Sequence, residues 1–219
     1  MIMETTSNKR IRLTFYFVGL FIMTLGIVTA AKSGLGVPPI GTIPYSGTVV
    51  WGIDLGLASI IFSIIVVGLQ MLILRDNYKQ LLWQIPVSIV FGLFLTFSGE
   101  LLNIFPNPTA ILSQTLLMLL STVLVAFGIF LYIPANYIPQ PPEGLVLAIT
   151  AASKAKFPMV KILSDVAMVL ISLAICMSTI HKFGSIGIGT FVAAVLVGIE
   201  IKVLTRLLGA YRDNMLNAS

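Results

Sequence analysis

Long apolar runs separated by short polar stretches dominate the chain. Six runs are long enough to cross a bilayer: about 11–31, 55–74, 81–105, 110–133, 159–180 and 185–208. A span needs about 20 apolar residues, and its backbone must satisfy its own hydrogen bonds in hydrocarbon. The pattern therefore predicts an all-α membrane protein with six transmembrane helices in one integral membrane domain over residues 1–219. Two connections break the pattern. Residues 33–53 carry no charge, and 134–158 carry Glu143 and, late in the segment, Lys154 and Lys156. Both are too long and too apolar for simple loops.

Both connections hold a Pro-Pro pair followed by glycine: Pro38-Pro39-Ile40-Gly41 and Pro141-Pro142-Glu143-Gly144. An apolar, helix-compatible stretch follows each, which predicts broken or re-entrant segments after the first and fourth spans. A shift of about one hundred residues brings further matches into line. Leu25-Gly26-Ile27 meets Phe127-Gly128-Ile129, Ile85-Pro86-Val87 meets Ile186-Gly187-Ile188, and Gly99-Glu100 falls near Gly198-Ile199-Glu200. The expectation is a duplicated three-helix unit, about 11–105 and about 110–208. An odd number of spans inserts the second copy upside down, giving two inverted three-helix repeats. Inverted repeats and matched broken helices are a transporter architecture.

Composition agrees with a bilayer. The chain is 58% hydrophobic and 10% charged, against roughly 25% charged in soluble domains. A water-exposed surface cannot be built from so few charges. The net charge of +5 does not point to nucleic acid, because the cations are scattered and form no basic block. They report topology instead. With the N-terminus inside, 11 of the 13 Lys and Arg fall on the inner side, leaving Lys32 and Lys182 outside. That bias predicts both ends in the cytoplasm. No cleavable signal peptide is expected, and the first apolar run reads as a retained span. The single Cys176 excludes an internal disulfide.

The stretch Ala30-Ala31-Lys32-Ser33-Gly34-Leu35-Gly36-Val37-Pro38-Pro39, the glycines Gly52 and Gly56 after it, and Ile188-Gly189-Thr190 opening the sixth span together resemble the YczE/YitT-type integral membrane proteins of bacteria. The resemblance implies a bacterial inner-membrane protein and little chemistry.

Candidate site residues follow from what is costly in lipid. Glu143 stands inside an apolar stretch, where a carboxylate is expensive unless paired or hydrated. It is a candidate for binding a coupling ion or a cationic group, and it also suits the first turn of the helix after it. Asp165 lies in the fifth span one turn after Lys161, where the ordinary reading is a local ion pair. Glu100 and Glu200 are matched acids near helix ends, candidates for an access path or for headgroup contacts. Lys32 ends the first span, placed to stabilise a helix terminus or to meet an anion. Pro38, Pro39, Gly41, Pro141, Pro142 and Gly144 would shape a substrate site through two converging helix N-termini. Tyr45 and Asn136 flank them as further substrate-binding candidates, although aromatic residues in such places are usually interfacial anchors.

Enzyme signatures are absent, with no metal, phosphate-loop or nucleophile motif. No cofactor is expected. The leading expectation is a small secondary transporter or exporter of a small solute or ion. It would work by alternating access and draw on a proton or Na⁺ gradient. The alternative is a substrate-binding or accessory subunit of a larger membrane complex. Expected partners are the lipid bilayer, a small-molecule or ion substrate, and either a second copy of the chain or another membrane protein. Gly-rich helices permit such close packing.

Overall fold

The protein is described here from a computed structural model covering residues 6–74, 81–153 and 155–217. Among these residues there are eight α-helices and no strand. They are α1 Thr6–Ser33, α2 Pro39–Trp51, α3 Leu55–Ile73, α4 Gln84–Asn103, α5 Ile111–Tyr132, α6 Pro141–Ser153, α7 Phe157–Ile180 and α8 Ile188–Asn217. A 3-10 turn, Ile133–Ala135, follows α5. Six helices are long and apolar enough to span a membrane: α1, α3, α4, α5, α7 and α8. The short helices α2 and α6 have 13 residues each, and they fill the two long connections. The order long, short, long, long thus occurs twice.

Span ends moved by a few residues from the sequence expectation. The largest change is α8, which continues to Asn217 instead of stopping near 208. It is held there by Arg212, whose Nη1 donates to the Phe130 carbonyl at 3.1 Å and whose guanidinium lies 4.4 Å from the Phe130 ring. Arg75, Lys79 and Lys154, which the sequence assigns to the inner side, lie outside the described residues.

Local chemistry sets the short helices. Pro39 occupies the first turn of α2 after Pro38, where a missing N–H costs nothing. Gly52 ends α2 in a left-handed conformation, φ 68°. Asp54 then caps α3, accepting from the Leu57 amide at 2.9 Å and from the Thr96 hydroxyl of α4 at 2.6 Å.

Glycine brings the long helices together. α1 and α5 cross so closely that a Cβ on Gly128 would lie 2.6 Å from the Gly19 carbonyl oxygen, and one on Gly26 would lie 2.7 Å from the Val125 amide. Close backbone approach of this kind is how membrane helices associate, since lipid supplies no hydrophobic drive between them. Leu20, Met23, Ile27 and Val125 fill the core around that crossing. On the outer faces large apolar side chains stay exposed, such as Leu72, Ile162 and Leu207. That is the expected surface of a protein solvated by lipid.

Each short helix is held by the other half of the chain. α2 lies against α7, where Ser46, Ser172 and Ser185 share buried hydroxyl hydrogen bonds and the Ser172 hydroxyl also donates to the Thr42 carbonyl at 3.0 Å. α6 lies against α3, where Gln70 donates to the Pro141 carbonyl at 3.0 Å.

Candidate functional site

The principal cavity, of about 550 Å³, lies between the two short helices and the long helices α5, α7 and α8. Its walls are mostly apolar. α2 contributes its entry residues, Pro38, Pro39 and Ile40, and α6 contributes Glu143 and Leu147. α8 contributes a strip from Ala193 to Ile201, which is about 12 Å of helix at 1.5 Å per residue.

α7 and α8 bound one side of the cavity and part from each other there. Phe157 and Ile162 of α7 face Ala194, Gly198 and Ile201 of α8 across it. The two helices share no packed face comparable to that of α3 and α4. At the opposite end the protein is sealed. A Cβ on Gly36 would lie 2.6 Å from the Gly187 amide, and the Gly189 amide donates to the Leu35 carbonyl at 2.8 Å. Gly36 holds φ 104°, a conformation that a side chain would strain. The seal therefore joins the glycine-rich turn after α1 to the one before α8.

Polar groups inside the cavity cluster at its α6–α7 wall. Glu143 is seated in the first turn of α6, and the Gln140 backbone supplies a hydrogen bond to it. Lys161 and Asp165 of α7 form an ion pair one turn apart. Glu143 is outside the six spans, and burial pushes its carboxyl up from 4.5 to about 7. Lys161 and the Gln140 backbone oppose that shift, while Asp165 adds to it. Beside them stand Tyr16, Tyr132 and Tyr137. The Tyr16 hydroxyl donates to the Ile138 carbonyl at 2.6 Å and that of Tyr137 to the Lys9 carbonyl at 3.1 Å. The Tyr132 hydroxyl is buried and has no hydrogen-bond partner among the described residues. With the pair neutral overall, the cluster carries one excess negative charge when Glu143 is ionised. Such a site can hold a cation or exchange a proton.

Of the residues singled out in the sequence, Pro38, Pro39, Asn136, Glu143 and Asp165 meet at this cavity. Asn136 adopts φ 55°, which Asn tolerates better than most side chains. The others lie elsewhere. Lys32 donates to the Leu102 and Phe105 carbonyls, 2.6 Å each, and so closes the C-terminus of α4. Gly41 and Pro142 line a second, much smaller void. Pro141 and Gly144 pack against Gln70 and Gln84. The Tyr45 hydroxyl donates weakly to the Ala31 carbonyl at 3.4 Å. Glu100 is exposed on α4. Glu200 accepts from Thr122 at 3.0 Å on the α5–α8 contact.

Sequence reasoning missed the Gln70–Gln84 pair, in which each amide donates to the other, at 2.9 and 3.0 Å. Its signal was available: a glutamine inside an apolar run needs a partner in lipid. Of the three cavity tyrosines, Tyr132 and Tyr137 flank the second Pro-Pro-x-Gly segment in the sequence and read mainly as interfacial anchors, whereas Tyr16 was missed.

The pattern of a family described as a family of unknown function (DUF6198) matches residues 10–206. The chain is 26% identical over 193 residues to the "Uncharacterized membrane protein YczE" of Bacillus subtilis (strain 168), covering 88% of this chain and 84% of that protein. It is 25% identical over 195 residues to the "Uncharacterized protein YyaS" of the same organism, covering 86% and 90% respectively. No solved structure matches.

Proposed function

The chain belongs to the DUF6198 family, and we propose that it is a small secondary transporter of the bacterial inner membrane. In this reading both ends are cytoplasmic and no cofactor takes part. Two inverted three-span units, each with its short helix, rock around the cavity. A proton or Na⁺ gradient supplies the energy, with Glu143 as the coupling acid.

One asymmetry carries the reading. Ile60 of α3 and Gly92 of α4 are in contact, sealing that face. Ile162 of α7 and Ala194 of α8 stand 102 residues further along and instead bound the cavity. One pair of faces is shut while its counterpart is open, as expected for one end state of an alternating-access cycle. The same offset supports the repeat elsewhere. Gly26 meets Val125 as Gly128 meets Met23. Gly34 and Asn136 both turn left-handed. Gln70, which holds α6, corresponds to Ser172, which holds α2.

The test is a pair of cysteines at Ile162 and Ala194 in a Cys176→Ser background, reconstituted in vesicles. Rocking predicts that oxidation joins them during cycling, and that joining them abolishes gradient-driven solute movement. A well-folded protein that never cross-links, and that moves no solute or coupling ion across a broad panel, would overturn the reading.

A further inference from the structure

We infer that the cavity takes a lipophilic organic cation, an apolar body bearing one positive charge, which enters sideways from the bilayer between α7 and α8. This names the substrate class of the transport reading above and rests on it for entry and exit, whereas binding can be measured without transport.

The route follows from position. Gly198 and Ile201 lie near the middle of α8, so this part of the lining falls within a candidate span, while Asn136 to Pro139 and Phe157 line the loop end of the same cavity. A Cβ on Gly198 would meet no atom within 4 Å, so no described residue packs over Gly198. A solute entering here has already partitioned into lipid. The mostly apolar walls then suit its body. Charge selection comes from the α6–α7 wall, where Glu143 faces the neutral Lys161–Asp165 pair. Tyrosine rings attract cations through their faces. The Tyr132 hydroxyl, buried yet without a partner among the described residues, offers a hydrogen bond to a ligand. An anion would meet the excess carboxylate, and a hydrophilic cation would gain nothing from the walls.

Proton and cation then compete for one carboxylate. The groups facing Glu143 are Tyr16 of α1, Tyr132 of α5, Tyr137 of the following turn, and Lys161 and Asp165 of α7. Among these, Glu143 is the one whose proton the bound cation displaces. Acidification therefore weakens cation binding by linkage.

The experiment measures binding of tetraphenylphosphonium to purified protein in neutral-lipid nanodiscs. Tetraphenylborate serves as the anion of matching shape and tetramethylammonium as the hydrophilic cation. The expected result is saturable phosphonium binding at least about tenfold tighter than either control, and about tenfold weaker at pH 5.5 than at pH 8.5. Glu143→Gln should abolish the charge preference and the pH dependence. Gly198→Trp, at a position where an added Cβ meets no atom within 4 Å, should plug the opening and slow phosphonium association about tenfold with unchanged thermal stability. Equal binding of the borate, equal binding of tetramethylammonium, or unchanged association in Gly198→Trp would overturn the inference. Phosphonium binding with those preferences supports it even where vesicle flux is absent, an outcome that counts against transport alone. Gradient-driven movement of some other solute without phosphonium binding overturns the inference and leaves transport standing.

Discussion

Gly56 of α3 and Gly92 of α4 meet backbone to backbone: a Cβ added to Gly92 would stand 2.8 Å from the Gly56 carbonyl oxygen. No side chain separates the two helices at this point, so any added carbon must push them apart. Gly56→Val is expected to cost about 1–3 kcal/mol, the usual range for overpacking. Gly68→Val on the same helix is the control, because a Cβ there meets nothing within 4 Å. Thermal unfolding in detergent compares the two. Equal losses in both would mean that the contact is not what holds α3 to α4.

The paired amides of Gln70 and Gln84 predict a second, non-additive effect. Gln70→Leu strips hydrogen bonds from both Gln84 and the Pro141 carbonyl, leaving buried polar atoms unpaired. A loss of about 1–3 kcal/mol is expected. Gln70→Leu combined with Gln84→Leu should lose less than the sum of the single changes, because each removes the other's unsatisfied partner. Simple additivity in unfolding measurements would show that the amides do not act as a pair.

Hydropathy alone made the six spans legible, because a bilayer demands long apolar runs whatever the tertiary packing. The starts of α2 and α6 were legible for a different reason. Proline followed by helix-compatible sequence marks a helix start, and α2 and α6 begin there. Glu143 and Asp165 could be found because charge in apolar surroundings is conspicuous. Lys32 could not be placed from sequence, since its acceptors are carbonyls 70 and 73 residues away. The last turns of α8 also escaped notice. Beyond residue 208 the helix no longer needs to be apolar, and Arg212 is fixed by a contact with α5 that no local pattern encodes.

Glu143 predicts a pH dependence of stability. Its carboxyl is held near 7 in the folded protein against an ordinary 4.5, so the folded state keeps a proton that the unfolded chain has lost. The stability linked to that proton is complete below about pH 4.5, declines as pH rises, and is gone above about pH 7. The unfolding temperature of wild type minus that of Glu143→Gln should therefore fall from pH 4.5 to pH 7 and level off beyond. A flat difference across that window would place the carboxyl in ordinary solvent.

Lys32 predicts a stability effect without a binding effect. Lys32→Met removes the donor that satisfies the last carbonyls of α4. A loss of about 1–3 kcal/mol is expected in thermal unfolding. Phosphonium affinity should be unchanged within about twofold, since Lys32 does not line the cavity. A tenfold change in affinity with intact stability would instead return Lys32 to the binding site.

Because each short helix is held by the opposite half, the order in which the ribosome makes the chain matters. Ser46 bonds to Ser172, 126 residues later. At about 5–20 residues per second, α2 waits on the order of ten seconds before its partner exists. α6 has no such delay, since Gln70 and Gln84 are made before Pro141. The early half of the nascent protein thus enters the bilayer with an unfinished polar surface, and the late half completes it. Over that interval the Ser46 hydroxyl and the Thr42 carbonyl lack the Ser172 hydroxyl to which both are bonded in the finished protein.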